Sequence, residues 1–354
     1  MWALTELPIV QAPMAGSQGP KLCIAVCEAG GLGSIPCAML TPDALREQIA
    51  EIRFATKAPF NVNFFAHTPP TPDASREQAW LDRLRLYYAE FGLDPADAAK
   101  GPGRAPFDDF MCGVIEETRP PVVSFHFGLP DQNLLARVKA TGAKVWSTAT
   151  TVAEARWLSA RGVDAIIAQG REAGGHRGMF LTDDIDAQPG LMALLPQVVD
   201  AVDVPVIAAG GIADGRGVAA ALLLGASAAQ IGTAYLLSPQ ASTSAVHRAA
   251  LEAGRDDTTR LTNLFTGRPA RGHLNRYLRE QGPMNAAAPA FPLATGAITP
   301  LRAHAEKAGS GEFSPLWSGE AAPLARKEDA GAFTRRVWDE TRALVASVAK
   351  RTRR

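Results

Sequence analysis

The residues best suited to chemistry lie in glycine-marked turns that directly follow apolar runs. One such stretch reads Gln169-Gly170-Arg171-Glu172-Ala173-Gly174-Gly175-His176-Arg177-Gly178. A histidine with an ordinary pKa near ~6.5 can act as a base or a hydrogen-bond donor around neutrality, so His176 is the first catalytic candidate. Gln169, a polar residue at the end of an apolar run, offers an amide that can match the donors and acceptors of a flat heterocycle. Gly174 and Gly175 permit close backbone approach. Two further turns, around Gly210-Gly211 and Gln230-Ile231-Gly232-Thr233, come from consecutive runs. Backbone amides at such turns, with a helix N-terminus beyond, suit a phosphate. Met14 either lies on a ring face through its thioether or simply packs. Asn61 and Asn63 share one face of a strand, and Asn63 is nearer its C-terminal end. His126 is either a pocket residue that touches substrate or a satisfied core histidine.

These residues need elements to aim them. Eight short apolar runs occur at 9–12, 31–35, 60–65, 122–127, 144–148, 164–168, 204–209 and 228–232. Most are continuously apolar rather than alternating, as in a parallel sheet buried on both faces. Helical signals fill the gaps. Thr41-Pro42 provides a cap and a first-turn proline ahead of Leu45, Ile49 and Ile52. Thr151-Val152-Ala153-Glu154 reads as a capping box, and Asp131 caps a stretch holding Leu134, Leu135 and Val138. Eight strands alternating with helices predict an α/β fold of the (β/α)8 barrel kind, with an open doubly wound sheet as the alternative. Barrel active sites form at the C-terminal ends of the strands, where every candidate above falls, and the loops after strands seven and eight commonly hold a phosphate.

The rhythm breaks twice. Residues 66–121, including a Gly/Pro stretch at 101–106, form an insertion after the third strand. Residues 235–320 carry no strand period and read as a helical cap over the barrel mouth. Residues 328–349 return as a helix with Phe333, Val337, Thr341, Leu344 and Val348 in register. The barrel proper is thus expected over 1–234.

Lys plus Arg and Asp plus Glu number 36 each, so the chain lacks the basic excess that a nucleic-acid or membrane-surface partner favours. The short basic tail at 350–354 reads as a solvated chain end. Four cysteines make no disulfide framework and no zinc set, and are expected to be buried thiols. The N-terminus lacks the charged and apolar regions of a signal peptide, and no apolar run is long enough to span a bilayer, so a cytoplasmic setting is expected.

Taken as an ordered set, residues 8–16, 29–33, 60–65, 124–130, 164–178, 205–212, 230–235 and 265–272 resemble the FMN-dependent nitronate monooxygenases, formerly called 2-nitropropane dioxygenases. The resemblance implies a TIM barrel with FMN across its mouth. It implies Met14, Asn63, Gln169, Gly174, Gly211, Gln230, Gly232 and Thr233 as FMN contacts, with Gly175 and Gly210 in the same turns. It implies His176 as the catalytic histidine, either holding nitronate oxygens or deprotonating a neutral nitroalkane. The implied reaction consumes a small alkyl nitronate, such as propionate 3-nitronate, with O2, and yields a carbonyl compound and nitrite. Flavin-type enoyl-acyl-carrier-protein reductases share the 172–176 stretch, and an NADH:quinone reductase could use the same barrel. The 124–130 segment and the long insertion favour the nitronate reading. A flavin-binding protein without turnover is the remaining alternative.

Overall fold

The computed structural model describes residues 2, 4–98, 104–253 and 259–351. Most of the 350–354 tail and part of the 101–106 stretch lie outside the described residues. Strands β1 (Ile9–Gln11), β2 (Gly33–Pro36), β3 (Phe60–Phe65), β4 (Val122–His126), β5 (Lys144–Ala149) and β6 (Ala165–Gln169) each fall on an expected run. A short β7 (Gly175–His176) leaves the barrel, and β8 (Val206–Ala209) and β9 (Ala228–Ile231) complete it. The order β1-β9-β8-β6-β5-β4-β3-β2 is parallel throughout. Closure runs between β1 and the approach to β2, where Leu32 N donates to Ile9 O and Gln11 N to Leu32 O, both at 2.9 Å. The chain folds as a TIM barrel.

The runs are apolar on both faces because each face meets a packed layer. Outward residues such as Ile35, Val62, Phe64, Val123, Phe125, Val145 and Ile166 join the helices in one core. Inward residues Val10, Leu32, Val122, Trp146, Ile167, Ile207 and Ala228 fill the barrel, with Trp2 and Leu4 packed against them. The interior becomes polar toward the strand C-termini. Asn61 Nδ2 donates to Ser34 Oγ at 3.1 Å, and Asn63 Nδ2 to Ser124 Oγ at 2.8 Å. The period of two therefore converts an apolar plug into a polar-lined mouth within a few residues.

The caps form as the sequence directs. Thr41 Oγ1 accepts from Ala44 N, and Asp131 accepts from Asn133 N and Leu134 N. The capping box at Thr151 is only half made. Thr151 Oγ1 accepts from Glu154 N, but the Glu154 carboxylate turns inward, with consequences for the site.

Three features differ from the expected outline. Helix Asp109–Thr118 packs between Pro42–Ala55 and Gln132–Ala140, so the barrel's own crossover helix lies inside the 66–121 segment. The cap is not purely helical. Strands β10 (Thr259–Thr262) and β11 (Ala270–His273) pair antiparallel, and β11 pairs with β7. Helix Ala330–Arg351 packs on Gly215–Leu223 and Pro20–Glu28, taking the eighth barrel-helix position after the chain has built its cap. Phe333, Val337 and Thr341 are buried there, whereas Leu344 and Val348 stay 37% and 47% exposed because the helix outruns the barrel. The insertion helix Ala74–Phe91 and the cap helix Thr295–Lys307 share a second core. It includes Trp80, Tyr88, Tyr277, Leu301 and Phe313, so both outgrowths form one roof.

Candidate active site

A cavity opens at the C-terminal ends of the barrel strands beneath this roof. Its lining brings together Met14, Asn63, His126, Gln169, Gly174, Gly175, His176, Gly210, Gly211, Gln230, Gly232 and Thr233. It also includes Phe65, Arg104, Thr148, His247 and Trp317, which sequence reasoning did not select. Phe65 and Thr148 were within reach of it, being inward in register with Asn63 and Trp146 by the period of two. Arg104, His247 and Trp317 arrive from the insertion and the cap, whose paths no local periodicity encodes.

His176 is held from both backbone and side chain. Its peptide sits in β7, opposite Ala270 of β11, and the next amide, Arg177 N, donates to Pro269 O at 2.8 Å. Its carbonyl accepts from Gln169 Nε2 at 3.0 Å and from His126 Nε2 at 3.1 Å. The Gln169 amide is thus largely spent on this loop, since its Oε1 also accepts from Gly178 N at 2.8 Å. His126 faces a carbonyl with Nε2, so that nitrogen carries the proton, and Nδ1 accepts from the Thr148 hydroxyl at 3.0 Å. Both ring nitrogens of His126 are therefore satisfied. Burial holds its pKa at about 4, which keeps the ring neutral. These contacts tie the His126 ring to the His176 loop at the edge of the cavity.

The His176 ring lies among Phe65, Phe127, Phe291 and Trp317, at centroid separations of 6.1, 6.0, 5.5 and 5.5 Å. Phe127 adopts φ 72°, a left-handed conformation rare for a bulky residue, as the chain turns off β4. Burial first, then the charge of Arg104 and neighbouring His126, Arg268 and His67, hold the His176 pKa well below the usual histidine range. Its Nε2 meets the Thr266 hydroxyl at 3.0 Å. The Nδ1 edge makes no hydrogen bond among the described residues and is the one left for a ligand.

Two buried charged residues brace this loop from below. Arg177 is fully buried and donates to Gly170 O, Gln169 O and Gln188 Oε1 at 2.6, 2.8 and 2.7 Å. Burial, aided by nearby Arg271, lowers its pKa to about 9. Glu154 accepts from Thr150 N and Oγ1 at 2.6 and 2.7 Å, and from Phe180 N and Leu181 N at 2.6 and 3.2 Å. Its position in a capping box had pointed to a local role. Instead it ties the start of its helix to the segment that follows His176.

The opposite side of the mouth is built from backbone. Gly210 and Gly211 have φ of 117° and 67°, conformations that L side chains rarely adopt. A side chain at Gly175 would project into open space, whereas one at Gly174 would strike the Ser318–Gly319 backbone. Gly175 therefore leaves room at the mouth, and Gly174 admits the cap. Gly232 lies beside Met14 Sδ, which an added Cβ would approach to 3.7 Å. Gln230 Oε1 is buried without a hydrogen-bond partner among the described residues, although the residue lines the cavity. An unpaired buried amide oxygen is costly unless a ligand donor meets it. This orphan, the Gly210-Gly211 turn and the Gly232-Thr233 turn fit a heterocycle with a phosphate tail.

A TIM barrel with such a mouth, and a buried histidine aimed across it, is the frame of a flavin-dependent oxidoreductase. Comparison with known proteins narrows this class. The nitronate monooxygenase family model matches residues 1–348, and the chain belongs to that family. A nitronate monooxygenase from Pseudomonas aeruginosa is 42% identical over 339 residues, covering 95% of this chain and 97% of that protein. Among solved structures, a nitroalkane oxidase from Streptomyces ansochromogenes superposes with TM-score 0.88 at 42% identity, covering 98% of both chains. FabK from Thermotoga maritima superposes with TM-score 0.75 at 29% identity, covering 98% of this chain and 96% of that one. The chain is thus an enzyme of a family that oxidises nitronates. Among the described residues no helix is long and apolar enough to cross a membrane, and all four cysteines are free and buried.

Proposed function

We propose that this enzyme binds FMN at the barrel mouth and oxidises small alkyl nitronates with O2 to a carbonyl compound and nitrite. Gly210, Gly211, Gly232 and Thr233 would hold the phosphate end. Gln230, with its unpaired oxygen, and Met14, Asn63 and Gln169 would flank the ring system. Bound FMN would supply the electron-transfer and oxygen chemistry that no side chain here can perform.

The observation that carries the substrate reading is the state of His176. A ring held neutral by burial is a weak base, so it suits hydrogen bonding to an anion already formed rather than proton removal from a neutral nitroalkane. Thr266 Oγ1 is 3.0 Å from His176 Nε2 but 3.4 Å from its alternative acceptor, Arg268 O. A Thr266 hydroxyl donating to Nε2 leaves the proton on Nδ1, where it can donate to a nitronate oxygen. Among the described residues the cavity lining contains no aspartate or glutamate, so an anion meets histidine and arginine instead of a repelling carboxylate.

The roof and the aromatic residues around His176 exclude water from the reacting end and strengthen that hydrogen bond. The test compares ethyl nitronate with nitroethane at one pH, before the two interconvert. We expect oxygen consumption and nitrite with the nitronate and little with the neutral acid. The name of the Streptomyces neighbour favours the opposite preference, and faster turnover of nitroethane would assign His176 as a base.

A further inference from the structure

Arg104 is the arginine among the residues that line the cavity. On the surface, Arg46, Arg137, Arg276 and Arg336 each hold two carboxylates. Arg104 lines the cavity and pairs with no carboxylate among the described residues. One of its donors, Nη1, reaches the Thr295 hydroxyl at 3.1 Å, and that hydroxyl in turn donates to Phe265 O at 3.1 Å. Thr295 begins the cap helix Thr295–Lys307, so the contact fixes the guanidinium between insertion and roof. Arg302, the charged neighbour that perturbs it electrostatically, repels it and is itself engaged with Glu306.

A largely desolvated guanidinium with unused donors and no counter-charge is unfavourable unless something supplies the charge. Its planar fork matches a carboxylate bidentately. The nitronate end of a substrate already has a donor in His176, and the phosphate end of a cofactor has the glycine turns on β8 and β9. Arg104 remains for a second anionic group on the substrate. It is also close enough to His176 for its charge to be felt there.

We propose that Arg104 is a specificity residue whose guanidinium binds the carboxylate of a nitronate that carries one a short carbon chain from its nitronate carbon. This rests on the nitronate reading above. The insertion after β3 then carries the substrate-selecting side chain as well as one wall of the roof.

The test compares propionate 3-nitronate with propyl 1-nitronate, in which a methyl replaces the carboxylate, on holoenzyme and on Arg104→Met. The wild type should favour the dianion. The variant should lose about 10- to 100-fold in kcat/KM for the dianion, mostly through KM, while changing about threefold or less for propyl 1-nitronate. Arg104→Lys should recover part of the loss. Equal losses on both substrates, or no preference in the wild type, would overturn the proposal while leaving nitronate oxidation intact. A second readout separates the two claims: flavin-absorbance titration with 3-nitropropionate, whose carboxylate is charged while its nitro group is neutral at pH 7. Weakened binding in Arg104→Met supports the proposal even if neither nitronate is oxidised, and unchanged binding contradicts it.

Discussion

Glu154 offers a sharp test of how the His176 loop is held. Glu154→Ala removes four acceptor contacts at once, to Thr150 N, Thr150 Oγ1, Phe180 N and Leu181 N. The Thr150 amide and hydroxyl are buried, so no water replaces the lost oxygen there without rearrangement. Hydrogen bonds to a charged acceptor contribute roughly 1.5–3 kcal/mol each, and the desolvation of the carboxylate offsets part of their sum. A net loss of about 3–5 kcal/mol follows, in the range seen when one partner of a buried charged network is removed. At roughly 2 °C per kcal/mol for a domain of this size, Tm should fall by about 6–10 °C. Phe180 and Leu181 follow His176 closely in the chain, so kcat should drop about tenfold as the ring loses its position, with cofactor retained. Glu154→Gln keeps the shape but turns an amide donor toward a backbone donor, and should fall between wild type and Ala. Thermal melts and steady-state kinetics on purified holoenzyme measure both effects. A Tm within about 2 °C of wild type with unchanged kcat would refute the bracing role.

Three further outcomes are expected. His176→Ala should keep its FMN but lose roughly 10²–10⁴-fold in turnover, and an unchanged rate would remove His176 from the chemistry. Gly211→Asp should purify depleted in FMN, because it places a negative charge beside a turn read as the phosphate site; a full flavin complement would exclude that turn. Stability should depend on acid in a defined window. Burial holds His67, His126 and His247 at about 4, against about 6.5 in an unfolded chain, so between those values the unfolded state binds more protons. Stability is then fully present above about pH 6.5 and is lost as pH falls toward 4, by about 1.4 kcal/mol per pH unit for each histidine. Urea unfolding at pH 7 and pH 5 measures this, and equal stability at both would contradict the buried neutral state.

The barrel was legible because each strand is buried on both faces, which writes itself as a continuous apolar run. Strand-end logic then reached the Gly174-Gly175, Gly210-Gly211 and Gly232 turns and His176, and the structure gathers them around one cavity. The cap was less legible. Thr259–Thr262 and Ala270–His273 each contain a single aliphatic residue and no alternation, and they are strands only because they pair with each other and with β7. Thr266, which contacts the His176 ring, lies between them and could be flagged only by resemblance through the 265–272 segment. Arg104 sits in a Gly/Pro-rich stretch without periodicity. Glu154 shows a further limit, since a capping-box position disclosed its backbone context but not the long-range loop it holds. His126 was open between substrate contact and core residue, and only the folded structure engages both its nitrogens.

The central claim is nitronate oxidation at this barrel mouth, and the most direct measurement is nitrite release on aerobic mixing of purified holoenzyme with propionate 3-nitronate, without NADH. Nitrite should form in step with oxygen consumption. Absence of nitrite, together with NADH oxidation driven by an enoyl thioester or a quinone, would contradict it and assign the same cavity to a reductase.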